Sequence, residues 1–235
     1  VIISEKVNRA IVSLLGAGLM IMLGVLNQET AVSGIDFNTL GLLIGMMVIV
    51  AITKRSGVFQ FVAVWSAKKV KASPWGILLM LSLVTAVFSA LLDNVTTVLL
   101  VAPVTLLICH ELDITPYPFL FSEIFASNIG GTATLIGDPP NIMIGSAVRL
   151  TYNDFIYNLA PIVPLIMLVT MGIIYVIWGR RLHATHEARE RIMQFREREA
   201  ITDARLLKQS LLVLALVLAG FVMAGTLRLE PASVA

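Results

Sequence analysis

The chain is short of charge. Only 14% of its 235 residues are Asp, Glu, Lys or Arg, against roughly 25% in a soluble domain. With 57% hydrophobic residues and a mean hydropathy of +0.89, it cannot cover a soluble surface. Its single cysteine, Cys109, lies inside an apolar run, which excludes an internal disulfide and a cysteine-based metal site. The three histidines form no metal constellation, since His110 ends an apolar stretch while His183 and His186 lie in a charged segment. No basic face interleaved with aromatics is present, so the net charge of +2 does not point to nucleic acid. The close carboxylate pair or histidine pair that a lipid-acting membrane enzyme needs is also missing.

What is present is a series of apolar blocks, each about as long as a hydrocarbon core of roughly 30 Å requires. Residues 10–26 and 37–53 read as two spans, separated by an acidic loop. Residues 10–26 resemble a signal peptide only superficially, because no small-residue cleavage pattern follows. Positive charge collects at Lys6 and Arg9, at Lys54 and Arg55, and at Lys68, Lys69 and Lys71, which places the N-terminus in the cytoplasm. Residues 57–71 are too short and mixed to span. They read as an interfacial amphipathic helix, with Phe59, Val62 and Trp65 or Val58, Phe61 and Val64 on its apolar face.

Residues 74–92 and 95–109 form two apolar arms interrupted by Asp93 and Asn94. They return the chain to the side it came from whether they cross fully or fold back as a hairpin, and charge leaves both models open. Residues 117–149 read as one span broken by a Gly, Thr and Pro-rich stretch at 128–141. A span at 159–178 leads into a basic cytoplasmic linker at 179–209, where Lys and Arg outnumber Asp and Glu eight to five. A last span from 210 runs toward Arg228 and Glu230. The expected fold is therefore all-α and polytopic. The chain begins without Met and stops just after an apolar run, as a fragment of a longer protein would.

Two stretches carry chemistry. In LLDNVTTVLLVAP, residues 91–103, Asp93, Asn94, Thr96 and Thr97 offer a carboxylate, an amide and two hydroxyls at a break between helices. Such groups suit a hard cation or a proton, and an ionisable residue at membrane depth is a functional candidate. The plainer alternative is an Asp capping a helix at a solvated turn. In SNIGGTATLIGDPPN, residues 127–141, Gly130, Gly131, Pro139 and Pro140 dismantle a helix that should continue. Backbone groups freed at membrane depth must be satisfied by protein or by a water-filled cavity. Broken spans of this kind place half-helix ends around an ion. Ser127, Asn128, Thr132, Thr134 and Asn141 add neutral ligands, and Asp138 can bind a cation, carry a proton or cap the half-helix after it. Glu123 lies near Ser127 in sequence and either lines the same cavity or sits solvated at the interface.

Through SALLDNVTTVLLVAPVTLLIC at residues 89–109 and SNIGGTATLIGDPPNIMI at 127–144, the chain resembles the ion transporter superfamily. That group includes arsenite permeases, NhaD-type sodium/proton antiporters, citrate carriers and divalent-anion/sodium symporters, and the likeness is strongest to the melanosomal P protein branch. The resemblance implies two inverted repeats, each with a re-entrant hairpin and a broken transmembrane helix. One repeat would occupy residues 1–178, with a truncated second repeat beginning at 210–235. It further implies alternating-access transport of a small anion such as arsenite or a carboxylate, or sodium/proton exchange, with Na+ or H+ as coupling ion and no other cofactor. A passive anion channel on the same scaffold is the alternative. The symporters carry Ser-Asn-Thr at the hairpin tip, where this chain has Asp93-Asn94-Val95, and an acidic tip suggests proton or cation coupling. Expected partners are the ions, the lipid bilayer, the missing C-terminal repeat and a second copy in a homodimer. The expected location is the inner or plasma membrane of a bacterium or archaeon.

Overall fold

The computed structural model describes residues 8–227 and Val234, and within them the regular structure is helical. The positive charges expected at Lys6 and at the side chain of Arg9, and the span end at Arg228 and Glu230, lie outside the described residues. Two compact units divide the chain, Val1–Phe37 and Asn38–Ala235.

In the first unit, α1 (Arg9–Met22) is capped by Asn8, whose side chain accepts from the Ala10 N–H at 2.9 Å. It stops four residues before the expected end of the span. The chain turns back after Met22, and the N–H groups of Val25 and Leu26 both return to the Met20 carbonyl. At 14 residues α1 is about 21 Å long. The loop expected to follow contains a short helix, α2 (Gln28–Ser33), capped by the Asn27 side chain.

The second unit holds α3 (Phe37–Lys54, its first residue at the boundary), α4 (Val58–Lys69), α5 (Pro74–Leu91), α6 (Asn94–Glu111), α7 (Tyr117–Gly131) and α8 (Pro139–Val148). It continues with α9 (Tyr152–Asn158), α10 (Val163–Ile177), α11 (His186–Met193) and α12 (Ala204–Leu227). Helices α3, α5, α6 and residues 204–224 of α12 are each long and apolar enough to cross a bilayer. Within the span expected at 159–178, α10 runs unbroken from Val163 to Ile177, and α9 stands before it at a bend of 55°. Pro161 and Pro164 explain the bend. Neither has an N–H to extend a helix from α9, while Pro164 suits the first turn of α10. On α10, Met167, Met171 and Ile174 face inward, while Leu165, Leu168 and Val176 are exposed. Apolar side chains all round mark a helix packed on protein on one side and lipid on the other. The chain is a multi-pass membrane protein.

The linker is ordered along the second unit, and α12 begins at Ala204 because the Asp203 carboxylate accepts from the N–H groups of Arg205 and Leu206. Arg189 on α11 donates to the Lys71 carbonyl, just before α5, and Arg191 donates to the Glu111 carbonyl at the end of α6. Two residues of one short helix thus hold the start of α5 and the end of α6. These two helices form an antiparallel hairpin with Leu92 and Asp93 at its tip.

On α4, Phe59 and Val64, one from each of the apolar faces expected of it, are buried together with Ala63, Ser66 and Ala67, whereas Trp65 is exposed. Small residues at i and i+4 let α4 lie close against α5, and the linker covers its other side. Gly57, at φ +81, precedes α4 where an added Cβ would run into the Ala200 carbonyl. The Lys68 ammonium donates to Glu197 at 2.6 Å and to the Phe195 carbonyl at 3.0 Å. Thr202 donates to the Arg55 carbonyl.

The Lys68 hydrogen bond holds the Glu197 carboxyl below its usual range. A depressed carboxyl contributes its stabilisation fully above its ordinary value of 4.5 and loses it as the pH falls through the lowered one. Limited proteolysis of the full-length protein in detergent tests the strap. Lys68→Met should raise cleavage between residues 194 and 203 several-fold at neutral pH, and acidification should do the same to the wild type. Unchanged cleavage in both cases would show that the strap holds without this pair.

Candidate functional site

Asp93 caps α6, its Oδ1 accepting from the Thr96 N–H at 2.7 Å, so the capping reading of this residue holds. The residue is nevertheless half-buried, and its neighbours are unevenly satisfied. Asn94 donates to the Asn128 side-chain oxygen at 3.3 Å, yet its own Oδ1 is buried without a partner. The Thr97 hydroxyl, fully buried, also has none. The Asn94–Asn128 bond ties the hairpin tip to the end of α7. The two motifs, 34 residues apart in the chain, therefore meet.

The break between α7 and α8 spans residues 132–138 and is held from both sides. Asn141 donates to the carbonyls of Gly131 and Thr134, at 3.2 and 2.9 Å. The Thr134 hydroxyl donates to the Ala90 carbonyl on α5 and accepts from the Gly137 N–H. Ser89 donates to the Ser127 carbonyl. These bonds answer the requirement that non-helical backbone in a bilayer be satisfied by protein. They also commit Thr134 and the Asn141 amide nitrogen to holding the break. Ser127 and Thr132 donate their hydroxyls to carbonyls one turn back, Ile124 and Ile129.

The glycines permit this closeness. A Cβ on Gly130 would overlap the backbone of Ala86, and one on Gly131 would meet the Gly137 carbonyl and the Ser89 hydroxyl. The α5 and α7 backbones approach directly, as small residues allow in membrane helix pairs.

Asp138 occupies the N-cap position of α8 but makes no side-chain cap bond, unlike Asp93. Pro139 and Pro140 present no N–H, and the Asn141 N–H, which holds the place Thr96 has for Asp93, bonds the Asp138 main-chain carbonyl instead, so the carboxylate stays half-exposed. Asp138 and Asp93 lie close enough to interact electrostatically. Two helix N-termini, those of α6 and α8, and two C-termini, those of α5 and α7, thus meet beside the Asp93 and Asp138 carboxylates. Such a set suits a hard cation or a proton and places positive half-helix ends near an anion. Among the described residues no cluster of three or more His, Cys, Asp or Glu side chains is suited to a metal ion.

Glu123 is placed in neither of the expected ways. It is fully buried between α5, α6 and α7, and its carboxylate accepts from the Thr105 hydroxyl. Sequence reasoning missed Ser82, Ser89, Thr105 and Ser122. For the two on α5, the spacing of Ser82, Thr85 and Ser89 was the available signal.

A family model described as "Citrate transporter" matches residues 1–235. The chain belongs to the citrate transporter family. It is 44% identical to an "Uncharacterized transporter" of Mycobacterium tuberculosis, over 100% of this chain and 55% of that protein. It is 38% identical to the "P protein" of Homo sapiens, over 77% of this chain and 23% of the other. It is also 34% identical to "Magnetosome protein MamN" of Magnetospirillum gryphiswaldense, over 94% of this chain and 52% of that protein. The chain spans about half the length of the mycobacterial relatives it matches. These relatives agree with the superfamily resemblance read from the two motifs.

A pair of glycine substitutions tests the close approach. Gly130→Ala should destabilise the full-length protein by about 1–3 kcal/mol, the usual range for overpacking. Gly172→Ala on α10, where an added Cβ meets nothing within 4 Å, should be neutral or slightly stabilising. Thermal unfolding in detergent measures both. Equal melting temperatures for the two variants would rule out the tight α5–α7 contact.

Proposed function

We propose that this citrate transporter family chain is one repeat of a secondary active transporter of small ions. Its cargo is a small anion such as arsenite or a carboxylate, or it exchanges sodium for protons. The observation that carries the reading is the junction of hairpin tip and helix break through Asn94 and Asn128, with Asp93 and Asp138 beside it. The positive N-terminal ends of the half-helices would hold an anion, and the two carboxylates would take the coupling Na+ or H+. The relatives' names support transport over enzymatic chemistry and do not name a substrate for this chain.

The hairpin's surroundings support a re-entrant rather than crossing path. Basic residues flank α4 at both ends, Lys54 and Arg55 before it and Lys68 and Lys69 in its last turn, which keeps both ends near the cytoplasmic surface. Phe88, one turn from the tip, packs edge-on against Phe59 in the first turn of α4, with ring centroids 5.0 Å apart. Leu92 belongs to the same apolar cluster as Phe59 and Val50. A hairpin that crossed the bilayer would carry its tip away from these residues. A second repeat beyond this one, pairing of two copies, and a bacterial inner membrane complete the proposal.

Flux through proteoliposomes holding the full-length protein, under imposed proton and sodium gradients and with a panel of small anions, is the test. Asp138→Asn and Asp93→Asn should each lower gradient-driven uptake by roughly tenfold or more, with normal expression. Wild-type uptake in both variants would refute the assigned roles. Ohmic current independent of any gradient coupling would favour a passive anion channel.

A further inference from the structure

Glu123 stands one helical turn before Ser127 on the face of α7 that packs on the hairpin, and it is 0% exposed. The Thr105 hydroxyl of α6 donates to its Oε1, while Oε2 is buried with no hydrogen-bond partner. No Lys or Arg pairs with it among the described residues. The groups that face it are neutral or weakly acidic. From α6 come Thr105 and the Cys109 thiol, and α5 brings Ser82, which donates to Ser122 beside Glu123. The side of α10 nearest this core is Met167, Met171 and Ile174. An ionised carboxylate with one neutral donor in such surroundings costs several kcal/mol, so the stable form here carries a proton.

The surroundings of Glu123 continue toward the ion site. On α5, Ser82, Thr85 and Ser89 repeat at i, i+3 and i+7, and all three are fully buried. On α7, Glu123 and Ser127 repeat at i and i+4, and Ser127 receives the Ser89 hydroxyl at its carbonyl. On α6, Thr97 and Thr105 lie two turns apart, both fully buried. The hydroxyls of Thr85 and Thr97 have no partners. Three helices thus present a buried polar seam from the hairpin tip to Glu123, with hydroxyls left over along it. A core that served only packing would have no use for them.

We propose that Glu123 is a second proton-binding site, linked to the Asp93–Asp138 site through this seam and emptied when the hairpin shifts against α7. This rests on the transporter reading given above. In the step, the Glu123 Oε2–H bond breaks and the proton passes along the seam hydroxyls to water or a carboxylate at the ion site. The carboxylate left behind keeps the Thr105 hydroxyl and gains the donors that the shift brings to Oε2. Reprotonation reverses the step.

The test uses full-length protein in lipid. Infrared difference spectra between acid and alkaline pH should show the carbonyl stretch of a protonated carboxyl that titrates in the wild type and is missing from Glu123→Gln. In proteoliposomes, Glu123→Gln should lose proton-driven accumulation by roughly tenfold or more while keeping downhill exchange of the same ion. Glu123→Asp, which restores a titratable group, should recover accumulation with a displaced pH profile. Accumulation by Glu123→Gln with the wild-type pH profile, or loss of exchange together with accumulation in a folded variant, would overturn the proposal. Should the wild type show no coupled flux at all, the transporter reading fails, and the infrared band alone decides whether Glu123 binds a titrating proton.

Discussion

The structure depends on one constraint, that polypeptide leaving helical geometry inside a bilayer must find its hydrogen-bond partners in the protein. Residues 132–138 leave it completely, and the partners they find are specific. Asn141 reaches back across the break to two carbonyls, Thr134 joins it to α5, and Ser89 joins α5 to the end of α7. The break is therefore a built element. Its half-helix ends are fixed in direction, and fixed ends give their partial charges a defined target.

That architecture requires α5 and α7 to approach at backbone distance, which is why Gly130, Gly131, Ala86 and Ala126 lie between them. Small residues at this contact gain little from hydrophobic burial, since lipid is as apolar as the protein interior. The association is held by close packing and by hydroxyl hydrogen bonds such as Ser82 to Ser122. Tip and break therefore stay in register because two helices share a surface, and Asn94 and Asn128 meet at the end of that surface.

The functional stretches were legible because they interrupt a pattern. Asp93 and Asn94 stand out in an apolar run, and paired glycines and prolines stand out in a span, so hairpin and break could be placed to within a few residues. The buried hydroxyls were not legible in the same way. A serine or threonine can bond the preceding turn of its own helix and so does not disturb an apolar stretch, and only the tertiary contact shows that Ser89 and Thr134 bond across helices instead. The buried face of α4 is legible only in part for a related reason. Phe59 and Val64 stand out as large apolar side chains, while Ala63, Ser66 and Ala67, buried beside them, do not. The bend before α10 carried a visible signal in Pro161 and Pro164, which the apolar run around them concealed.

The linker adds a constraint on motion. Arg189 and Arg191 grip the two ends of the hairpin at its base, and Lys68 fastens the strap across α4. The tip is joined to the broken helix by an amide pair at 3.3 Å and by the hydroxyls of Ser89 on α5 and Thr134 in the break. Charge-assisted bonds are roughly twice as strong as neutral ones, and the charged bonds lie at the base. For the transport cycle proposed above, a hairpin held in this way would move most at its tip, where the two carboxylates are. In that cycle, displacement at the tip would change which donors reach Asp93, Asp138 and, about three turns below the tip, the hydroxyl of Thr105 that serves Glu123.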